Sequence, residues 1–188
     1  MNLQPTLWRT CRILANGRRL ACLNAVVLHP GESVGEIAAR VRMPQDQASL
    51  CLRALQARGL LHACRDGRWV RYFPRPDPLV PTAAPLLAAM TRAVVDEKRT
   101  VKHLVHCLTA FTHPRRLDIL LCLRQSASLA FSKLLRQSGM SSPALVRHLR
   151  KLQARGLIIE RRDGWTLAPA REPLVDVLLR LLRQKLEV

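Results

Sequence analysis

The sequence predicts a mainly helical fold with small β-hairpins, an α+β class, built twice within one chain. Three observations predict it. The hexapeptide LQARGL begins at residue 55 and again at residue 152, an offset of 97. At that offset twelve of the 25 positions from 43 to 67 are identical, among them Met43, Leu52, Arg53 and the run 65–67. Each copy also shows helical apolar spacing three times before the pattern shortens into a strand–turn–strand. Self-similarity at a fixed offset means two copies of one structural unit.

The elements of the second copy follow in order. Residues 115–124 (RRLDILLCLR) carry apolar positions at helical spacing after a His-Pro start signal at 113 and 114. FSKLLRQSGM is a short second helix that closes on Gly139 as its C-cap. Ser141 or Ser142 caps a third helix, with Pro143 in its first turn and Leu145, Leu149 and Leu152 along its apolar face. Gly156 ends it, an LII run opens a strand, and RRDG turns the chain into a second strand from Trp165. The first copy predicts helices near 18–28, 33–41 and 44–58, then a hairpin around Asp66-Gly67. Downstream, a small deletion brings PDPLV (76–80) opposite REPLV (171–175).

Three helices and a two-stranded ribbon make a winged helix-turn-helix, so the expected fold is a tandem winged helix-turn-helix. The runs SSPALVRHLRKLQARGLIIERRDGWTL and QASLCLRALQARGLLHACRDGRWVRYF, with the opening HPRRLDILLCL, resemble ArsR-type winged-helix regulators. The resemblance covers roughly 11–73 and 108–168. It implies a DNA-binding transcriptional regulator, a repressor, that dimerises through terminal helices. Between the copies lies the proline-rich PRPDPLVPTAAP, followed by one long helix or two abutting ones over 85–112, and 173–188 is strongly amphipathic. The expected organisation is copy 1 at 1–77, a linker and connecting helix at 78–107, and copy 2 with its C-terminal helix at 108–188. The two copies are expected to fold on each other as a single-chain pseudo-dimer, since a lone unit of this size buries little surface. Association of two chains through the terminal helices is a further expectation.

Lys and Arg number 31 against 13 Asp and Glu, a formal net charge of +18. Such an excess favours a polyanion, because each phosphate contacted releases counterions. The expected partner is double-stranded DNA. RNA is a weaker third choice, and aromatic content of only 4% disfavours single-strand binders that stack bases. No apolar run approaches the ~20 residues of a membrane span and the start does not read as a signal peptide, so the expected location is cytoplasmic. The six cysteines form no CxxC pair and read as reduced thiols.

Residues three and four apart share a helix face. The candidate DNA contacts in copy 2 are Ser141 and Ser142 at the helix start, Arg147, His148, Arg150 and Lys151 along it, and Arg161 and Arg162 in the wing. No acidic residue lies between 140 and 159. In copy 1, Leu50, Cys51 and Ala54 stand where copy 2 has Arg147, His148 and Lys151. Its candidates are Gln45, Gln47, Ser49 and Arg53 on the helix, the glutamines suited to adenine edges. Arg65, Arg68 and Arg71 are expected on one face of its wing. Unequal readers predict an asymmetric operator. The alternative is a module that binds DNA non-specifically while copy 1, through Leu50 and Ala54, contacts a protein.

ArsR-type metal sites draw cysteines from the helix before the recognition helix, and neither SVGEIAARV nor AFSKLLRQS holds a Cys or His. No metal or other cofactor is expected. The best remaining donors are His103, His106 and Cys107, with Cys11 or His113 as a fourth. Cys51 and Cys64 are placed beside the copy 1 DNA surface, where oxidation would weaken binding, although inert thiols are the simpler reading. No phosphate loop, nucleophile elbow or HExxH motif is present, and no enzymatic activity is expected.

Overall fold

A computed structural model describes residues 6–169 and 172–182. The first half contains α1 (Leu7–Leu14), α2 (Gly17–Leu28), α3 (Val34–Arg40) and α4 (Gln45–Gln56), then the hairpin β1 (His62–Asp66) and β2 (Trp69–Phe73). Helices α5 (Ala83–Val95) and α6 (Val101–Thr109) connect it to the second half. That half contains α7 (Pro114–Arg124), α8 (Phe131–Ser138), α9 (Ser142–Gln153), the hairpin β3 (Ile158–Arg161) and β4 (Gly164–Leu167), and α10 (Pro173–Leu181). The chain is mostly helical with two small antiparallel hairpins, an α+β winged helix-turn-helix architecture.

Local chemistry sets the boundaries. The Asn16 side chain accepts from the backbone N–H groups of Arg18 and Arg19, capping α2. Ser33 and Glu36 form a reciprocal capping box on α3. Gly139 closes α8 in the left-handed region at φ 60°. Ser141 stands at the N-cap of α9, and Pro143 sits in the first turn where its missing N–H costs nothing. Lys98, at φ 49°, lies in the break between α5 and α6, so the stretch expected over 85–112 is two helices. Sequence patterning did not mark α1, although Leu7, Cys11 and Leu14 are buried at i, i+4 and i+7.

Each half pairs its hairpin with the segment preceding its second short helix. Ser33 bridges to Arg71, and Leu129 bridges to Trp165. The shared Arg-Asp-Gly motif is used differently in the two hairpins. In the first the turn is Gly67-Arg68, with Asp66 paired to Trp69. In the second the turn is Arg162-Asp163, with Arg161 paired to Gly164. One continuous core runs through both halves. Helix α6 packs on α1 and α2, α5 packs on α2, and α10 packs on α5 and α6. The connecting helices are part of that core, contributing Leu86, Met90, Leu104 and Leu108. Residues 183–188, expected to extend the last helix, lie outside the described residues.

Candidate nucleic-acid interface

Helix α9 is anchored by Leu145, Leu149 and Leu152, all buried, and its other face is open. Arg147, Arg150 and Lys151 are exposed there, and none forms an ion pair among the described residues. Ser141 and Ser142 are exposed at the helix start, and the Ser141 hydroxyl makes no capping bond, which leaves it free for an external acceptor. Those hydroxyls, the helix's first N–H groups and three cations form a surface complementary to phosphate. Arg161 and Arg162 extend it at the hairpin, with Asp163 beside them.

His148 does not belong to this surface. It lies three residues after Leu145 and four before Leu152, which places it on the inner side of the helix. Its ring packs on that of His113 at 4.7 Å between centroids, and its Nδ1 is buried without a partner. Burial pushes both imidazoles below the ordinary histidine pKa. Adjoining charges, including Arg116 and Lys151, add to the depression. His113 also caps α7, its Nδ1 accepting from the Arg115 N–H at 3.2 Å.

On α4 of the first half, Gln45 and Arg53 are exposed and Ser49 is half-buried. The Gln47 carbonyl is already engaged by Arg18 Nη1 at 2.8 Å, so this glutamine is not a free reader of an adenine edge. Leu50 is 60% exposed, and Asp46 stands exposed in the first turn. The three wing arginines do not share a face. Arg65 pairs with Val70 and Cys64 with Arg71, and neighbouring pairs point to opposite sides of a pleated ribbon. Arg65 and Arg68 are exposed. Arg71 is occupied internally: it donates to Asp66 Oδ2 at 2.7 Å and to the Gly31 carbonyl at 3.0 Å. Cys51 is buried, not beside the outer surface, because it lies four residues before Leu55 on the inner face. Cys22 is buried with it, and burial, reinforced by Cys51, pushes the Cys22 thiol up to about 12. Cys64 is half-buried.

His103 and Cys107 of α6 come together, but His106 does not join them. His103 Nε2 lies 3.7 Å from Cys107 Sγ and 3.3 Å from Glu172 Oε1, whereas His106 Nδ1 lies 2.6 Å from Arg155 Nη1. Among the described residues no group of three donors stands where it would hold a metal ion. Arg116 was not singled out by sequence. It is buried, and donates to the carbonyls of Ala110 (2.7 Å) and Thr109 (2.8 Å) and to Thr112 Oγ1 (2.6 Å), clamping the end of α6 onto α7. The paired Arg115-Arg116 at a helix start was the available signal, but its carbonyl partners appear only in the fold.

A helix with unpaired cations, set between a short helix and a basic hairpin, is the arrangement of a winged helix-turn-helix. Residues 113–160, from the cap of α7 into β3, match the family model described as bacterial regulatory protein, arsR family. They form an ArsR-type helix-turn-helix domain, the domain of DNA-binding transcription regulators. No curated protein matches the chain. Among solved structures, the chain is similar to the crystal structure of human N-acetylserotonin methyltransferase in complex with SAM. Identity is 14% and the TM-score 0.34, over 80% of this chain and 39% of that one. A likeness at that TM-score defines neither the fold nor the chemistry. Among the described residues no helix is long and apolar enough to cross a membrane.

Proposed function

We propose that this protein is a double-stranded-DNA-binding transcriptional repressor in the cytoplasm, reading DNA chiefly with α9 and assisted by both hairpins. The observation that carries this reading is the unpaired set Arg147, Arg150 and Lys151 on the outer face of α9, inside the ArsR-type domain. Arg161, Arg162, Arg65 and Arg68 supply further phosphate contacts. No enzymatic activity and no resident cofactor form part of the proposal.

Residues 1–77 act as a second unit of the same kind, 78–107 as the connection and 108–188 as the ArsR-type unit, folded into a pseudo-dimer. The packing supports this: the helices that precede the two three-helix sets, α1 and α6, meet each other, and so do the helices that follow the two hairpins, α5 and α10. The units differ in their readers, so the operator is asymmetric. A second reading, in which α4 contacts a protein, is favoured by the exposed Leu50 beside Asp46.

Selection of bound duplexes from a random pool, at two salt concentrations, tests the proposal. An unequal two-part motif with parts about one helical turn apart is expected. Salt-sensitive retention without any motif would reject sequence-specific regulation in favour of the second reading. A promoter–reporter carrying the recovered motif then separates repression from activation.

A further inference from the structure

The tip of the first hairpin is chemically unlike the second. Of the three tryptophans, Trp165 is buried and Trp8 half-buried, while Trp69 stands 46% exposed beside Val70 at 38%. The Arg68 guanidinium lies over the indole at 4.9 Å from the ring centroid. Across the ribbon, Asp66 faces Trp69 and Arg65 faces Val70. Asp66, the acid at this tip, is bound by Arg71 at 2.7 Å. The tip therefore presents the indole on one side of the ribbon and Val70 with Arg65 on the other, and Arg65 and Arg68 form no ion pair among the described residues. In the second hairpin the first residue after the turn is Gly164, opposite Arg161.

We propose that Trp69 is a wedge that enters the minor groove of duplex DNA and partly unstacks one base step, with Arg68 and Arg65 holding the phosphates on either side. This rests on the DNA-binding reading above. A half-exposed indole at the end of a two-residue turn is narrow enough to enter a groove about 6 Å wide, where the two strands themselves are not. Arg68 lies over the indole, and the ring's exposed part is what would meet a base. Apolar side chains inserted between base pairs kink duplexes by ~20–90° toward the major groove. Pyrimidine–purine steps yield most easily, so the wedge selects such a step at a position that no helix touches. An exposed tryptophan also suits a protein contact. With its acid neutralised, two free arginines and a chain carrying +18, this tip is matched better to phosphate.

The test uses the full chain and a duplex recovered by selection, with a fluorescence donor and acceptor at its ends. Wild type is expected to shorten the end-to-end distance on binding. Trp69→Ala is expected to lose about tenfold in affinity, the scale of one aromatic–base stack, together with the bend. Trp69→Phe retains part of both. Neither variant alters the salt slope, because neither removes charge, whereas Arg68→Ala lowers it by about 0.9. A Trp69→Ala variant that melts, binds and bends as wild type does would overturn the wedge and leave the DNA reading intact, pointing the indole to a protein. Weakened binding with an unchanged bend also overturns it. Failure of the wild type to bind any duplex removes the DNA reading and the wedge together.

Discussion

If α9 lies along DNA, Arg147 and Lys151 should behave as two phosphate contacts, and the magnitude follows from their setting. Both are exposed, one turn apart, and free of ion pairs among the described residues, so neither must surrender a protein partner to reach phosphate. Each contact contributes about 0.9 to the slope of log K against log salt, so Arg147→Ala with Lys151→Ala should lower the slope by about 1.8. Taken from a 1 M reference to physiological salt, that slope corresponds to a loss of roughly 30-fold in affinity. Fluorescence anisotropy over a salt series measures both quantities on one duplex. Leu50→Ala with Ala54→Ser on α4 is the matched control, and should leave the slope unchanged because no charge is removed. The reasoning is refuted if the α9 double variant keeps the wild-type slope while the wing variants Arg161→Ala and Arg162→Ala reduce it. The helix would then face away from the duplex, with the hairpin alone accounting for binding.

Three further outcomes follow from the packing. Arg116→Ala removes three hydrogen bonds from a buried guanidinium, and should cost about 3 kcal/mol, a fall of roughly 6–12 °C in thermal melting; a fall below 2 °C would mean that α6 is held without it. A Cβ at Gly164 would lie 2.4 Å from the Leu129 carbonyl oxygen, so Gly164→Ala should destabilise by about 3 kcal/mol or more. Gly67→Ala, in open space at φ 56°, should cost only about 1 kcal/mol, and equal melting shifts would contradict this. His113 and His148 have folded pKa values held below their ordinary 6.5, so the unfolded chain binds protons more readily. The stability they contribute is complete above about pH 6.5 and is lost as pH falls through the depressed folded values, which urea titrations should register. His113→Asn with His148→Cys installs the residues found at the matching positions 16 and 51, and should flatten that dependence.

The element order was legible in the sequence because periodicity and punctuation are local. Helices α4 and α9 begin and end 97 residues apart, as the repeated LQARGL required. Helix α1 was missed although its buried positions obey the same spacing. Individual side chains were less legible, for two separate reasons. His148 and Cys51 were placed outside by chemical type, when their spacing to Leu152 and Leu55 already put them inside. For Gln47 and Arg71 no local pattern would have served. Their partners Arg18 and Gly31 lie 29 and 40 residues away in sequence and meet them only after folding.

The two halves share a scaffold but distribute charge in opposite ways, and this bears on how the chain would sit on DNA. In the first half, acids occupy the helix-turn-helix itself: Glu32 is paired with Arg40, Glu36 lies near Arg71, and Asp46 stands at the start of α4. Arg40 and Arg71 are thereby spent within the fold, while Arg53 on α4 and Arg65 and Arg68 at the hairpin form no ion pair among the described residues. The second half has no acid from 140 to 159, so no carboxylate on α9 itself offsets its cations. A two-fold symmetric dimer gains the same contacts in either direction along a duplex. A chain whose halves present a cationic helix on one side and an arginine–tryptophan hairpin on the other does not. Reversing it would exchange major-groove contacts that depend on charge for ones that α4 cannot make. If the two halves are the tandem readers proposed above, such a chain would have a property that a homodimer lacks, namely a preferred orientation on the operator set by the divergence of its halves.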